Sequence, residues 1–145
     1  MSTKATYRSP LPLLAVWLGG TAGTGCRYLL GEIVPTAFRI PVAILLANVL
    51  GAFLLGVLSA ALVRSGRDLG GRQLLRLMLG TGFLGGFTTY SALAFDTAGL
   101  LGDGLVLRGV GYPVASVLAG VLACWAGIAL GGRPELPSAR HSRPE

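Results

Sequence analysis

The chain has 145 residues, 52% hydrophobic and only 12% charged, whereas soluble domains carry about 25% charged residues. A mean hydropathy of +0.69 excludes an ordinary soluble domain, so the net charge of +6 does not indicate a nucleic-acid-binding protein. Four apolar runs, at 11–31, 41–63, 74–101 and 105–131, each reach the roughly 20 residues that cross a bilayer. The sequence therefore predicts an all-α membrane protein with four transmembrane helices.

The four runs define the organisation of the chain. Residues 1–10 and 132–145 are polar or rich in proline and are predicted to be tails. The first apolar run lacks a small-x-small cleavage site, so it is predicted to be a span rather than a signal peptide. Residues 11–131 then form one transmembrane domain, in which glycine pairs such as Gly19 with Gly23 and Gly127 with Gly131 predict close helix packing.

Basic residues indicate how the spans are oriented. With the N-terminus in the cytoplasm, nine of the twelve Lys and Arg residues lie on the cytoplasmic side, where such residues accumulate. The nine are Lys4, Arg8, Arg64, Arg67, Arg72, Arg76, Arg133, Arg140 and Arg143. The opposite side has Arg39 and Arg108. The predicted location is the cell (plasma) membrane, crossed several times, with both termini cytoplasmic.

The first two spans each contain one polar residue of interest. Arg27 lies in the first span, and a charge there costs at least about 2.5 kcal/mol unless it has a partner. An anion is one such partner; the alternative is that Arg27 reaches the interface and pairs with Glu32. Asn48 lies in the middle of the second span, where its amide either serves a polar pathway or joins helices by hydrogen bonds.

The third span contains the most unusual segment, residues 79–96. Four glycines there predict a break in the helix, and backbone exposed by a break at membrane depth must face protein, water or an ion. Hydroxyl groups follow directly, and broken spans are typical of ion sites. The glycines are Gly80, Gly82, Gly85 and Gly86, and the hydroxyls belong to Thr88, Thr89, Tyr90 and Ser91. A nucleotide-binding glycine loop is excluded because no strand precedes these residues.

The remaining polar residues lie at the end of the third span and in the fourth. Asp96 is either a functional carboxylate or an anchor at the membrane end, whereas Tyr112 and Ser116, one turn apart, share a helix face. The single histidine, His141, lies in the C-terminal tail. Because paired carboxylates, an activated serine and a phosphate loop are all missing, the chain is predicted not to be an enzyme.

These motifs, in order across all four spans, resemble the Fluc (CrcB) family of fluoride channels. The third-span motif carries most of the resemblance. The matching residues are Gly19, Gly20, Gly23, Arg27 and Tyr28, then Pro41, Asn48, Gly51 and Gly56, then Gly82, Phe83, Gly85, Gly86, Thr88, Thr89, Tyr90 and Ser91, and finally Tyr112 and Ser116.

The resemblance implies a four-helix subunit that works as an antiparallel dimer of the dual-topology type. It implies passive fluoride efflux, which lowers cytoplasmic fluoride, and a structural sodium ion at the dimer centre that is not transported. By motif position, the sodium ligands are the backbone carbonyls of Gly85 and Thr88. The resemblance further implies a fluoride pathway that consists of Asn48, Tyr90, Ser91, Tyr112 and Ser116, with Arg27 as the electropositive group.

Several positions depart from the family pattern. Leu93 stands where the second of two phenylalanines is usual, and Ala92, Ile44 and Ala52 replace hydroxyl residues. Together with the one-sided charge, these changes raise the alternative of a poorly conducting subunit whose homologous partner inserts the opposite way. A second alternative, a small multidrug-type antiporter, needs a carboxylate deep in the first span, whereas Glu32 lies at its end.

Overall fold

The computed structural model describes residues 10–36, 39–64 and 70–132. The predicted tails lie outside these ranges except for Pro10 and Gly132, as do six of the nine basic residues assigned to the cytoplasmic side. Four helical segments coincide with the four apolar runs, and the third is made of several pieces. The elements are α1 Pro10–Ile33, α2 Val42–Arg64, α3 Gly71–Arg76, a π-helix Leu77–Leu84, α4 Gly85–Phe87, α5 Tyr90–Gly102 and α6 Val106–Gly131.

Two of these helices, α2 and α6, are long and apolar enough to cross a membrane. Only 17% and 11% of their apolar windows are buried within the protein, unlike the core helices of a soluble domain. The other two predicted spans do not reach the same length and hydropathy among the described residues. α1 contains a run of glycines and threonines and Arg27, and the third run is divided into shorter helices.

Contacts between helix ends establish that consecutive segments run in opposite directions. At one end of the bundle, Arg39 forms an ion pair of 3.0 Å with Asp103, which joins the α1–α2 and α5–α6 connections. At the other end, Arg64 Nη1 donates to the carbonyl of Gly131 at 3.0 Å. The ends of α2 and α6 therefore lie on one side, and the starts of both helices lie on the other.

The glycine pairs allow the helix backbones to touch, which confirms the predicted close packing. On α6, a Cβ at Gly127 would collide with the carbonyl of Phe53 on α2. On α1, a Cβ at Gly19 would collide with the carbonyl of Met78, and one at Gly23 with the carbonyl of Phe83. Hence α2 packs along α6, and α1 packs along the π-helix and α4.

The second half of the third run packs on the other side of the bundle. Leu93 and Leu100 of α5 are buried against Tyr112 of α6, with Ile44 of α2 at the edge of this cluster. The first half of the third segment thus associates with α1, and the second half with α6.

Candidate functional site

The third segment loses its helical geometry between α4 and α5. Thr88 has φ −82° and ψ 157°, and Thr89 has φ −154° and ψ 126°, so both residues are extended. Thr89 caps α5, since its side-chain oxygen accepts a hydrogen bond from the backbone N–H of Ala92 at 3.2 Å. The π-helix ends at Leu84, separated from Thr88 by α4, and this rare helix type is frequent near functional sites.

Asn48 holds the peptide groups of Thr89 from α2. The N–H of Thr89 donates to Asn48 Oδ1 at 2.8 Å, and Asn48 Nδ2 donates to the carbonyl of Thr89 at 3.0 Å. In a continuous α-helix the Thr89 N–H would donate to the carbonyl of Gly85. Because Asn48 takes this donor, the carbonyl of Gly85 is released from the helical ladder.

Thr88 is held by its own helix and by the shape of α2. Its hydroxyl and its backbone N–H both donate to the carbonyl of Leu84, at 2.8 Å and 2.9 Å. Its methyl group lies against Gly51, where a Cβ would collide with it. The small residue on α2 therefore makes room for the Thr88 side chain.

On the opposite side of the break, α1 supplies two donors to one carbonyl. Arg27 Nε donates to the carbonyl of Gly86 at 3.2 Å, and the hydroxyl of Thr24 donates to the same oxygen at 3.4 Å. Arg27 thus binds the third segment rather than Glu32. Thr24 was not identified from the sequence, although its position three residues before Arg27 places both on one face of α1.

An open groove of about 510 Å³ runs past the break between α2, α5 and α6. Ser116 is 3% exposed, and its Oγ has no hydrogen-bond partner among the described residues. Tyr90, by contrast, is 81% exposed. The groove is lined by Gly85, whose carbonyl is released from the helix, and by several residues with polar side chains. These include Asn48, Thr88, Thr89, Tyr90 and Ser116.

Three predicted pathway residues do not line this groove. Ser91 is exposed and shares a hydrogen bond of 3.1 Å with the Thr89 hydroxyl. Tyr112 is buried one turn before Ser116, and its hydroxyl donates to the carbonyl of Pro41 at 3.5 Å. Arg27 lies on the α1 side of the break. The structure thus brings together Asn48, Tyr90 and Ser116 with both predicted sodium ligands, Gly85 and Thr88.

Asp96 lies in the middle of α5, away from both ends of the helix. One of its carboxylate oxygens, Oδ2, is buried without a hydrogen-bond partner among the described residues. The residue is only partly buried overall, and it does not line the groove beside the break.

The chain is similar to known proteins over most of its length. Residues 14–128 match the family described as "CrcB-like protein, Camphor Resistance (CrcB)". A relative from Leifsonia xyli subsp. xyli, named "Fluoride-specific ion channel FluC 2", is 48% identical over 119 residues, which are 82% of each chain. A relative from Cutibacterium acnes, named "Fluoride-specific ion channel FluC 1", is 42% identical over 123 residues, 84% of this chain and 86% of the relative.

A third relative, from Rhodococcus jostii, is also named "Fluoride-specific ion channel FluC 2". It is 44% identical over 120 residues, 83% of this chain and 98% of the relative. These relatives are named as channels and not as enzymes, and two helices of the chain are apolar enough to span a bilayer. The chain is therefore a membrane protein that belongs to the CrcB (FluC) family.

Proposed function

We propose that the chain is a subunit of a fluoride-selective channel that carries fluoride passively out of the cell and so lowers cytoplasmic fluoride. The single observation that carries this proposal is the Ser116 hydroxyl, which is buried without a partner in the described structure and belongs to a residue that lines the groove beside the break. A buried polar group without a partner costs about 1–3 kcal/mol. A transient ion that accepts from this hydroxyl offsets that cost, and the names of the relatives identify the ion as fluoride.

The groove offers the donors that a dehydrated anion needs. Fluoride is small and strongly hydrated, so a pore must replace its water with hydrogen-bond donors. Ser116 supplies a hydroxyl, and Asn48 Nδ2 has a second hydrogen beyond the one given to Thr89. The edge of the Tyr90 ring carries partial positive charge. Two further residues lie beside these donors. Tyr112 is one turn before Ser116 on α6, and Ser91 shares a hydrogen bond with the Thr89 hydroxyl.

A structural sodium ion fits the same break. The carbonyls of Gly85 and Thr88 are the proposed ligands, since neutral oxygens freed by a broken helix are the hard ligands such an ion takes. The Gly85 carbonyl has lost its helical donor to Asn48, and both residues line the groove. When bound, the ion supplies positive charge and holds the two sides of the break together without being transported.

The proposed assembly is an antiparallel dimer within the lipid bilayer. Tyr90 is 81% exposed and Phe95 78% exposed, so α5 presents two large aromatic groups outside its own subunit. Trp17, in the first half of α1, and Trp125, near the end of α6, are also exposed. The opposite directions of consecutive segments put both tryptophans near one end of the bundle, as in an aromatic belt. This supports an arrangement with both termini on one side of a membrane, and we propose that the membrane is the plasma membrane and the side is the cytoplasm.

The unequal charge of the two sides favours a heterodimer over a homodimer. In the sequence, nine Lys and Arg residues belong to the side predicted to be cytoplasmic, whereas Arg39 and Arg108 belong to the other, and such a bias favours a single orientation. An antiparallel partner must then be a different, homologous chain. Leu93 supports a second candidate function, that of a poorly conducting subunit in such a heterodimer. It puts an aliphatic side chain at the groove, where the family usually has an aromatic ring.

Fluoride efflux from liposomes tests the channel proposal. We expect vesicles that contain the chain together with its homologous partner to release fluoride, as read by a fluoride electrode, and to retain chloride under the same gradient. Empty vesicles are the control. Chloride release at the same rate as fluoride, or no fluoride release in any combination, would contradict the proposed function.

The same assay separates the heterodimer from the homodimer. We expect the chain reconstituted alone to release fluoride at least about 10-fold more slowly than the pair, because chains of one orientation cannot form the antiparallel interface. Protease protection of tags on the two termini measures orientation independently. Fast efflux from the chain alone, with tags found on both sides, would overturn the heterodimer and leave the channel proposal intact.

A further inference from the structure

The carbonyl of Gly86 has a partner outside its own helix. In a continuous α-helix this oxygen would accept from the N–H of Tyr90, four residues on. The extended conformation of Thr88 and Thr89 interrupts that ladder. The oxygen instead accepts from Arg27 Nε at 3.2 Å and from the Thr24 hydroxyl at 3.4 Å.

Glycines on both segments allow α1 to come close enough for these two donors. A Cβ at Gly86 would collide with the carbonyl of Gly20 and lie 3.0 Å from the Thr24 hydroxyl. A Cβ at Gly23 would collide with the carbonyl of Phe83. The backbones are therefore in contact one turn before the break, and the Arg27 side chain needs to span only a short distance.

We propose that Arg27 is a positioning residue for the break. Its Nε–H replaces the helical hydrogen bond lost at Gly86 and so fixes α4 in the orientation that presents Gly85 and Thr88 to the groove. Arg27 does not itself line that groove. Its contribution to conduction, which rests on the proposed channel function, is therefore a hydrogen bond and not an electrostatic attraction of the anion.

Three substitutions separate the hydrogen bond from the charge. Arg27→Gln removes the charge but keeps an amide donor at the position of Nε along the side chain. Arg27→Lys keeps the charge, places a methylene at that position and moves the donor one atom further out. Arg27→Met removes both the charge and the donor, and its terminal methyl group lies at the position of Nε. If the role of Arg27 depends on the hydrogen bond, Arg27→Gln should resemble wild type in amide exchange and efflux more closely than Arg27→Lys does. If it depends on the charge, Arg27→Lys should resemble wild type more closely.

Hydrogen–deuterium exchange of the backbone amides at 87–92 tests the proposal without any flux, in the assembled protein in lipid nanodiscs. We expect Arg27→Met to accelerate exchange there by roughly 10-fold, the effect of losing a charge-assisted hydrogen bond. Arg27→Gln should accelerate it by less than about 3-fold, with Arg27→Lys between the two. Arg39→Met is the matched control, because it breaks an exposed ion pair with Asp103 away from the break and should leave this exchange unchanged.

Fluoride efflux provides a second comparison of the three Arg27 variants. We expect Arg27→Gln to retain more efflux than Arg27→Lys, and Arg27→Met to retain the least. Equal exchange in all three variants, or an efflux order of Lys above Gln, would overturn the positioning role. If wild type passes no fluoride with or without a partner, the channel proposal fails, while the order of amide exchange still decides the role of Arg27.

Discussion

Replacing Asn48 by leucine is expected to reduce fluoride efflux by at least about 30-fold. The leucine fills the same space but offers neither the acceptor used by the Thr89 N–H at 2.8 Å nor the donor used by the Thr89 carbonyl at 3.0 Å. Each half-buried peptide group left unpaired costs about 1–3 kcal/mol, and each 1.4 kcal/mol corresponds to a tenfold change. The break then loses its extended conformation, and the groove also loses an amide donor. Efflux from liposomes, normalised to the amount of assembled protein, measures the effect.

Two further substitutions at Asn48 define the cause. Asn48→Ala should also suppress efflux without preventing assembly, which size-exclusion chromatography reports. Asn48→Asp keeps the acceptor for the Thr89 N–H but puts a second acceptor against the Thr89 carbonyl, so it should be as inactive as leucine. Thr21→Val is the control, because the Thr21 hydroxyl donates only to Trp17 of its own helix. Efflux within twofold of wild type in Asn48→Leu would remove Asn48 from both roles.

Ser116→Ala is expected to separate function from stability. The Ser116 hydroxyl is buried without a hydrogen-bond partner among the described residues, so its removal breaks no hydrogen bond seen there and should leave the thermal unfolding temperature unchanged or slightly higher. Efflux should nevertheless fall by roughly 10-fold, because a hydrogen bond to a charged group contributes about 1.5–3 kcal/mol. Thermal unfolding in detergent and efflux from liposomes are measured on the same preparation.

The control for this substitution is Ser59→Ala. Ser59 is an exposed serine on α2 that does not line the groove beside the break, so neither stability nor efflux should change. A large loss of stability in Ser116→Ala would indicate that the hydroxyl has a structural partner. Unchanged efflux would mean that fluoride does not pass this hydroxyl, and the observation that carries the proposed function would be lost.

Much of the helical arrangement could be predicted from the sequence because it depends on local composition. Apolar runs of about 20 residues have few alternatives to helices in lipid, and the four-residue spacing of Gly19 with Gly23 places both on one helix face. The π-helix at Leu77–Leu84 was not predicted, because residues in a π-helix have no distinctive pattern that separates them from an α-helix.

The partners of the polar residues were harder to predict. Asn48 was assigned either to a pathway or to a helix contact; the structure shows the contact, since Asn48 binds Thr89, and it also places Asn48 at the groove, whereas its part in a pathway stays a prediction. Arg27 was assigned an anion or Glu32, whereas it donates to the carbonyl of Gly86. Sequence spacing identifies residues on one helix face, but it does not indicate which carbonyl of a distant, irregular segment will face them.

The division of the third segment has a mechanical consequence. Its first half is joined to α1 by backbone contacts at Gly19 and Gly23, and its second half packs with α6 through Leu93 and Leu100. The protein therefore consists of two bodies with the extended residues 88–89 as the joint between them. Lateral pressure from the bilayer that moves the two bodies apart or together is expected to strain this joint first, so the thickness and tension of the surrounding membrane should influence the site.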